Sequence, residues 1–494
     1  MAGLNGEWTR RKAVLAGGAA LALPYVSRAA RAESEADSDR LFAELDAKIL
    51  KGIGDFSIPG AAVAVVHGNR THVRGYGVKT FGDNAPVDAD TVFRIASNSK
   101  TFTGTAAMSL VDAGKIDLDR QVQFYVPDFV APKAQCVTVR QALNHSAGWL
   151  GYDFHDTGSG VGALEQYVED VRELPQLTPL GTTYSYNNAA ISVAGRVIES
   201  VTRGTYESAV GRLVFDPLEL NRSLFSQNKP TIGNVATPHD VQGSRAVPNA
   251  RYFYLPRSNN PFGGVWSCAR DQLAYLAFHL GDGCAGSGRR VMSEKALRAM
   301  RVPTGPGGAM FVELIGWGVS WMIRPTAENV PVVQHGGDLS GFHSGLIMVP
   351  EKRFAMTLLT NSETGPELLA QLFIDDWALR RFAGVSNLPA TPRKLTAAEL
   401  KPYEGQYWAE QIPTRDDSGQ RIPERIRFYI DLKAQDGALT MTKVDSGLPS
   451  TTLTFYKHDY VLVQGNGARA NFLRAPDGSI EFFRIGGRLY TRAP

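Results

Sequence analysis

A chain of 494 residues with 43% apolar and 20% charged side chains has room for a large core and at least one further domain; it is not a fibre, a disordered acidic chain or a membrane bundle. The formal net charge is +3, but the first 32 residues alone carry +4, with Arg10, Arg11, Lys12, Arg28 and Arg31 against Glu7, so the remainder is −1. No basic tract interleaved with aromatics is left to argue for a nucleic-acid partner.

Thr9-Arg10-Arg11-Lys12 precedes an apolar stretch, Ala13 to Leu23, and Ala30-Arg31-Ala32 stands before an acidic run. This predicts a twin-arginine export signal over residues 1–32 with a small-residue cleavage site, and hence a periplasmic or secreted protein. The apolar stretch is too short for the ~20 residues that span a bilayer, so no stable membrane insertion is expected. Cys136, Cys268 and Cys284 are too few for a disulfide scaffold and show no metal-ligand spacing with histidine. Cys268 and Cys284 flank a helical pattern whose ends lie roughly 18 Å apart, and all three read as packing residues.

A helical run over 40–51 leads into Ala61-Ala62-Val63-Ala64-Val65-Val66, which with 72–77 reads as a strand pair about a His67-Gly68-Asn69-Arg70 turn. Helical patterns follow over 99–112, 140–143, 164–174, 190–201 and 269–280. Strands return over 316–323, 330–334, 341–349 and 353–359, followed by a helix over 367–382. Strands at both ends with helices between predict an α+β domain over 33–385, its antiparallel sheet closed by its termini and flanked by helices. Residues 386–394, with Pro389 and Pro392, read as a linker. From 395 to 494, Ile426, Phe428, Ile430 and Leu432 alternate with polar residues, and Asp436-Gly437, Asp477-Gly478 and Gly486-Gly487 mark two-residue hairpin turns. This predicts a small all-β barrel or sandwich.

Ser97-Asn98-Ser99-Lys100 opens a helix and follows a short strand. A serine and a lysine three apart share a helix face, so an amine stands beside the hydroxyl at the positive end of the helix dipole. Ser226-Gln227-Asn228-Lys229 has the same spacing, but Pro230 blocks a helix there. Tyr186-Asn187-Asn188 places a phenol that can move protons and an amide that can hold a substrate; the alternatives are a core tyrosine and a helix cap. Val333 to Asp338 reads as a strand ending in Gly336 and Gly337, where backbone can approach a ligand and an N–H can join that of Ser97 in an oxyanion hole. His279-Leu280-Gly281 has the spacing of His335-Gly336-Gly337 but sits at a helix end. Arg94, Trp149, Tyr252, Tyr254 and Trp266 either line a pocket or fill the core.

In that order, Ser97-x-x-Lys100, Tyr186-x-Asn188 and His335-x-Gly337 resemble the three motifs of the penicillin-recognising serine hydrolases. That superfamily includes class C β-lactamases, DD-carboxypeptidases, D-aminopeptidases and lactamase-fold esterases. Leu143 to Gly148 and Phe262 to Asp271 are similar to framework segments of its class C branch, and the resemblance covers roughly residues 38–385. The segment from Tyr403 to Trp408 looks like the start of the lipocalin-like domain carried by some members.

The resemblance implies the β-lactamase/transpeptidase-like fold, Ser97 as acylated nucleophile, and Lys100 and Tyr186 sharing the proton traffic, their order open. Asn188 would orient the substrate, and the N–H groups of Ser97 and Asp338, past Gly337, would hold the oxyanion. It implies no metal and no organic cofactor. Where dedicated β-lactamases carry Lys-Thr-Gly, this chain has His335, mostly neutral at pH 7 from a reference near ~6.5. A small-molecule or peptide substrate is expected, an ester or a D-amino-acid peptide ahead of a β-lactam. Two other readings stand beside this one: a non-catalytic receptor for penicillin or cell-wall peptides, and a leading role for the barrel as a ligand-binding or capping module. Oligomeric state is open.

Overall fold

The computed structural model describes residues 23–129, 136–151, 156–411, 426–444, 446–465 and 467–494, with side chains from residue 37 onward except that of residue 173. The twin-arginine segment lies outside the described residues. The chain forms two units, Met1–Lys48 and Ile49–Pro494. Helix α1 (Leu23–Asp55), most of which belongs to the first, begins well before the run expected at 40–51 and passes through the expected cleavage region. No helix among the described residues is long and apolar enough to cross a membrane.

The second unit is built on a seven-stranded antiparallel sheet. Its strands are β1 (Gly60–His67), β2 (Arg70–Gly77), β3 (Gly316–Trp317), β4 (Met322–Arg324), β5 (Val332–Leu339), β6 (Phe342–Val349) and β7 (Phe354–Thr360). They lie in the order β3-β4-β5-β6-β7-β1-β2, and the pairing Ala61↔Thr360 joins the first strand to the last. The sheet is thus closed by the ends of the domain. Small and β-branched residues fill β1, every residue from Gly60 to Val66 is buried, and the strand is covered on both faces.

Helix α2 (Ser99–Asp112) is the interior post of the helical layer. Its small residues and threonines let neighbours approach on every side. A Cβ on Gly104 would stand 3.0 Å from Ser320, Thr105 Oγ1 lies 2.9 Å from the Tyr275 hydroxyl, and Thr101 Oγ1 donates to Asn98 O at 2.8 Å. A helix buried all round belongs in the interior of a large domain. Helices α3 (Asn188–Thr202) and α4 (Ala269–Leu280) complete the frame, α3 against α2 and α4 against β7 and β1.

Four expectations are corrected. The strand expected over 316–323 is two short strands, because the chain reverses through Ser320 at φ +59 and pairs Gly316 with Ile323. The strand expected to end at Gly336 and Gly337 runs on to Leu339, because β6 pairs with it along its whole length, Leu339 with Phe342. The helix expected over 367–382 breaks at Asp375 and Asp376, where Asp376 takes φ +56 and its carboxylate accepts from Asn387 N–H. At Asp477-Gly478 the loop spans residues 475–479 rather than two, closed by Ala475 N–H to Ser479 O at 2.9 Å.

Residues 386–395 cross without helix or strand to a closed barrel. Its strands are β8 (Gly405–Gln411), β9 (Ile426–Gln435), β10 (Ala438–Lys443), β11 (Thr451–Lys457), β12 (Tyr460–Val463), β13 (Arg469–Arg474), β14 (Ile480–Ile485) and β15 (Arg488–Arg492). The pairing Tyr407↔Arg492 closes it. Asp436-Gly437 and Gly486-Gly487 make two-residue turns with both residues at positive φ, the geometry that suits twisted hairpins. The interior is filled by Tyr407, Ile430, Leu432, Phe455, Phe472 and Phe483 among others, as eight strands allow. Ile426 and Phe428 lie on the end of β9 that projects outward, 44% and 40% exposed against 1% for Ile430, so their alternation does not mark an inward face.

Candidate active site

Ser97 sits in a single tight turn, Ala96–Asn98, between the short strand Val92–Arg94 and α2. Ala96 takes φ +50, a left-handed conformation that costs a non-glycine residue energy and needs support from its surroundings. Three hydrogen bonds supply it. Ile95 N–H donates to Val265 O at 3.0 Å, Asn98 Nδ2 donates to Ser344 Oγ at 2.8 Å, and Ser344 Oγ donates to Ile95 O at 2.7 Å. The neighbours of Ser97 are buried while Ser97 itself is partly open.

Lys100 is wholly buried one turn further on. Its Nζ donates to Ser97 Oγ and to Phe262 O, each at 2.9 Å, and lies 4.7 Å from the centre of the Tyr186 ring. Burial, and then the positive charge of Arg488, hold its pKa well below the ordinary lysine value. Tyr186 is buried too, hydrogen-bonded to Ser97, and burial pushes its phenol above the usual value. The neutral phenol is therefore its resting form. The His145 ring lies 4.6 Å from it and Trp317 6.0 Å.

The helix-cap alternative for Asn188 passes to its neighbour. Asn187 Oδ1 accepts from Ala190 N–H at 2.8 Å and caps α3, whereas Asn188 is the first residue inside the helix. Asn188 Oδ1 is buried and accepts no hydrogen bond among the described residues, which leaves an amide oxygen for an incoming donor.

His335 is buried, with Nδ1 2.7 Å from Gly336 O and Nε2 without a hydrogen-bond partner among the described residues. Burial and the proximity of Lys100 lower its pKa to about 3, so this position holds a neutral imidazole at pH 7. Gly337 is where β5 touches the nucleophile's turn. A side chain there would overlap Ile95 O and Ser344 Oγ and come within 3.2 Å of Ala96 Cβ. Only glycine lets the two backbones lie this close. Asp338 follows, its carboxylate largely exposed and 2.9 Å from His343 Nδ1, a contact that holds it below the usual carboxylate range.

The structure thus brings Ser97, Lys100, Tyr186, Asn188, His335, Gly337 and Asp338 to one place, and sets the two look-alikes elsewhere. Ser226 and Lys229 lie in a turn, and His279 is buried inside α4 against Thr105. Arg94, Trp149 and Trp266 are core residues; Tyr252 is half-buried and Tyr254 is exposed, its hydroxyl donating to Asp156 at 2.6 Å. All three cysteines are free. Among the described residues no group of three His, Cys, Asp or Glu side chains is placed to hold a metal ion.

Sequence reasoning missed one contributor. The turn between β14 and β15 reaches the site from the barrel: Tyr186 N–H donates to Gly487 O at 2.8 Å, and Arg488 Nη1 donates to Tyr186 O at 3.0 Å. Gly486-Gly487 was legible as a turn, but nothing in the residues beside it says which surface the turn faces.

Comparison with known proteins places the chain in a family. The beta-lactamase family model matches residues 39–378. Penicillin-binding protein 4 of Amycolatopsis lactamdurans is 32% identical, over 69% of this chain and 92% of that one. The unguisins hydrolase ungD of Aspergillus violaceofuscus is 25% identical, over 85% of this chain and 82% of its own. The crystal structure of SurE superposes with a TM-score of 0.71 at 22% identity, over 93% of this chain and 99% of that one, a likeness of fold that takes in the barrel. The chain belongs to the beta-lactamase family, within the penicillin-recognising serine hydrolases.

Proposed function

We propose that this protein is an exported serine hydrolase that cleaves an ester or amide through an acyl-enzyme on Ser97. The observation that carries the reading is the 2.9 Å contact between Lys100 Nζ and Ser97 Oγ inside a pocket where, among the described residues, Lys100 hydrogen-bonds no carboxylate and its ammonium form is disfavoured. In its neutral form the amine keeps an N–H on Phe262 O and reverses the Ser97 contact, turning its lone pair to take the Ser97 proton. Tyr186, held as a neutral phenol, suits the relay: it passes its proton to the leaving group and is reprotonated from Lys100. The same pair then takes a proton from the water that attacks the acyl group and returns it to Ser97 Oγ. The N–H groups of Ser97 and Asp338 receive the oxyanion, and Asn188 Oδ1 accepts from a substrate amide.

The neutral His335 places no fixed cation at the third motif, which favours esters and D-amino-acid peptides over β-lactams. A relative named as a hydrolase that aligns over most of this chain supports turnover rather than a receptor that only binds. Export rests on the Thr9-Arg10-Arg11-Lys12 segment.

The test compares the full chain with Ser97→Ala on p-nitrophenyl acetate, a D-alanyl anilide and a chromogenic cephalosporin, with intact-mass detection of the adduct. Turnover of one compound by the wild type alone makes Ser97 the nucleophile and names the substrate class. A Ser97 adduct without turnover would instead establish a receptor.

A further inference from the structure

We infer that the β14–β15 hairpin is a working part of the active site and that Arg488 is a positioning residue for Tyr186 and Lys100; this rests on the reading of Ser97 as the nucleophile. The barrel in this chain does more than stand beside the pocket. The residues flanking Tyr186 are held from within the hydrolase body by one side chain and its backbone: Ser185 N–H donates to His145 O at 3.1 Å, and Asn187 N–H donates to His145 Nδ1 at 3.0 Å. Tyr186 itself is held from the barrel. Its N–H goes to Gly487 O, its carbonyl receives Arg488 Nη1, and the guanidinium carbon stands 5.4 Å from the ring centre. Both polar groups of the residue's backbone therefore depend on two consecutive residues of a different domain.

The hairpin is built to stay there. Gly487 takes φ +77, and a Cβ on it would lie 2.7 Å from Met310 Sδ and 3.3 Å from Tyr186 Cβ, so a larger residue pushes the turn away. Four residues before Arg488, the buried Arg484 donates to Thr183 Oγ1 and, at 3.3 Å, to Gly307 O, with its guanidinium 4.0 Å from the Tyr184 ring centre. A second anchor joins Arg469 to Glu313 at 2.7 Å, with Tyr456 and Lys457 on the same carboxylate. Those contacts tie residues 183–184, just before Tyr186, and the 307–313 segment that packs with it to the barrel wall.

Charge gives Arg488 a second effect. The groups that face Lys100 are the Ser97 hydroxyl, the Phe262 carbonyl, the phenol of Tyr186, the imidazoles of His145 and His335, and Arg488, with the Asp338 carboxylate acting on Tyr186. Arg488 is the cation of the set apart from Lys100. It disfavours the ammonium form of Lys100 and favours proton loss from Tyr186. Removing it raises both pKa values, so less of the base form is present at a given pH.

The test uses the full chain, with p-nitrophenyl acetate and a fluorescent penicillin as acylating probes from pH 5 to 9. Arg488→Met is expected to lower the Ser97 acylation rate roughly tenfold or more, through kcat rather than KM, and to move the acid limb of the profile to higher pH. Arg488→Lys restores the charge and is expected to return the limb to its wild-type position. Gly487→Ala keeps the charge while displacing the turn: it loses rate with the limb unmoved, and it stands in if Arg488→Met does not fold. Rates within twofold of wild type for the variants that fold overturn the inference, as does an effect on KM alone with an unchanged profile, which would make Arg488 a substrate contact. If neither probe labels Ser97 in the wild type, the reading of the site fails first and this inference with it.

Discussion

The two walls of the pocket are built on opposite principles. The Ser97–Lys100 wall is made by chain neighbours: a short strand, one left-handed residue and an interior helix, with β5 laid against it through Gly337. The Tyr186 wall is a loop before α3 whose backbone is completed from a barrel some 300 residues further along the chain. The first wall stands within one domain, its turn braced by Val265, Ser344 and Gly337, so its geometry follows from packing. The second depends on a polar interface between domains, and such interfaces adjust more easily than a packed core.

Ser97→Ala has the largest expected effect: a loss of roughly three to six orders of magnitude in kcat/KM on whichever probe ester or anilide the wild type turns over. Retained turnover would mean that neither wall serves a serine nucleophile. Gly337→Ala probes the local wall. A Cβ there overlaps Ile95 O, a backbone atom that cannot swing aside, so kcat should fall about a hundredfold while the barrel contacts persist. An active Gly337→Ala enzyme would show that the local wall is the pliable one, reversing the contrast.

Arg484→Met probes the interdomain wall at a distance from the chemistry. It leaves Thr183 Oγ1 and Gly307 O without this donor, while Asn471 Oδ1 keeps the N–H of Ala309, and should cost about 2–4 kcal/mol in denaturant unfolding. Kinetics would show a smaller loss than Gly337→Ala if the Arg488 contact survives.

The smallest effect is on acid stability. His335 is held neutral with its pKa near 3 against a reference of 6.5, so below pH 6.5 the unfolded chain binds a proton that the folded one does not. Stability therefore drops as pH falls from 6.5 towards 3, by about 2 kcal/mol at pH 5 from this group. His335→Gln should flatten unfolding free energy between pH 7 and 5; an unchanged slope would place the acid sensitivity in other buried groups, among them His145.

Residue order alone was enough for the parts whose contacts are near in sequence or whose pattern admits one structure. Helix α2 begins at Ser99 and α4 spans Ala269–Leu280 as their periodicity predicts, and Ser97 with Lys100 follows from a three-residue spacing on one helix turn. The ordered trio of motifs sufficed for the family. Where several local structures share one pattern, the packing partner chose. Gly336 and Gly337 look like a strand's end but continue it, because β6 supplies the pairing that glycine does not refuse. Residues 316–323 look like one strand but fold back on themselves at Ser320. Gly486-Gly487-Arg488 is a hairpin turn in any barrel. That this turn faces Tyr186 was decided by how two domains dock, through Arg484, Arg469 and Glu313, and long-range contacts of that kind leave no period or spacing in the chain that makes them.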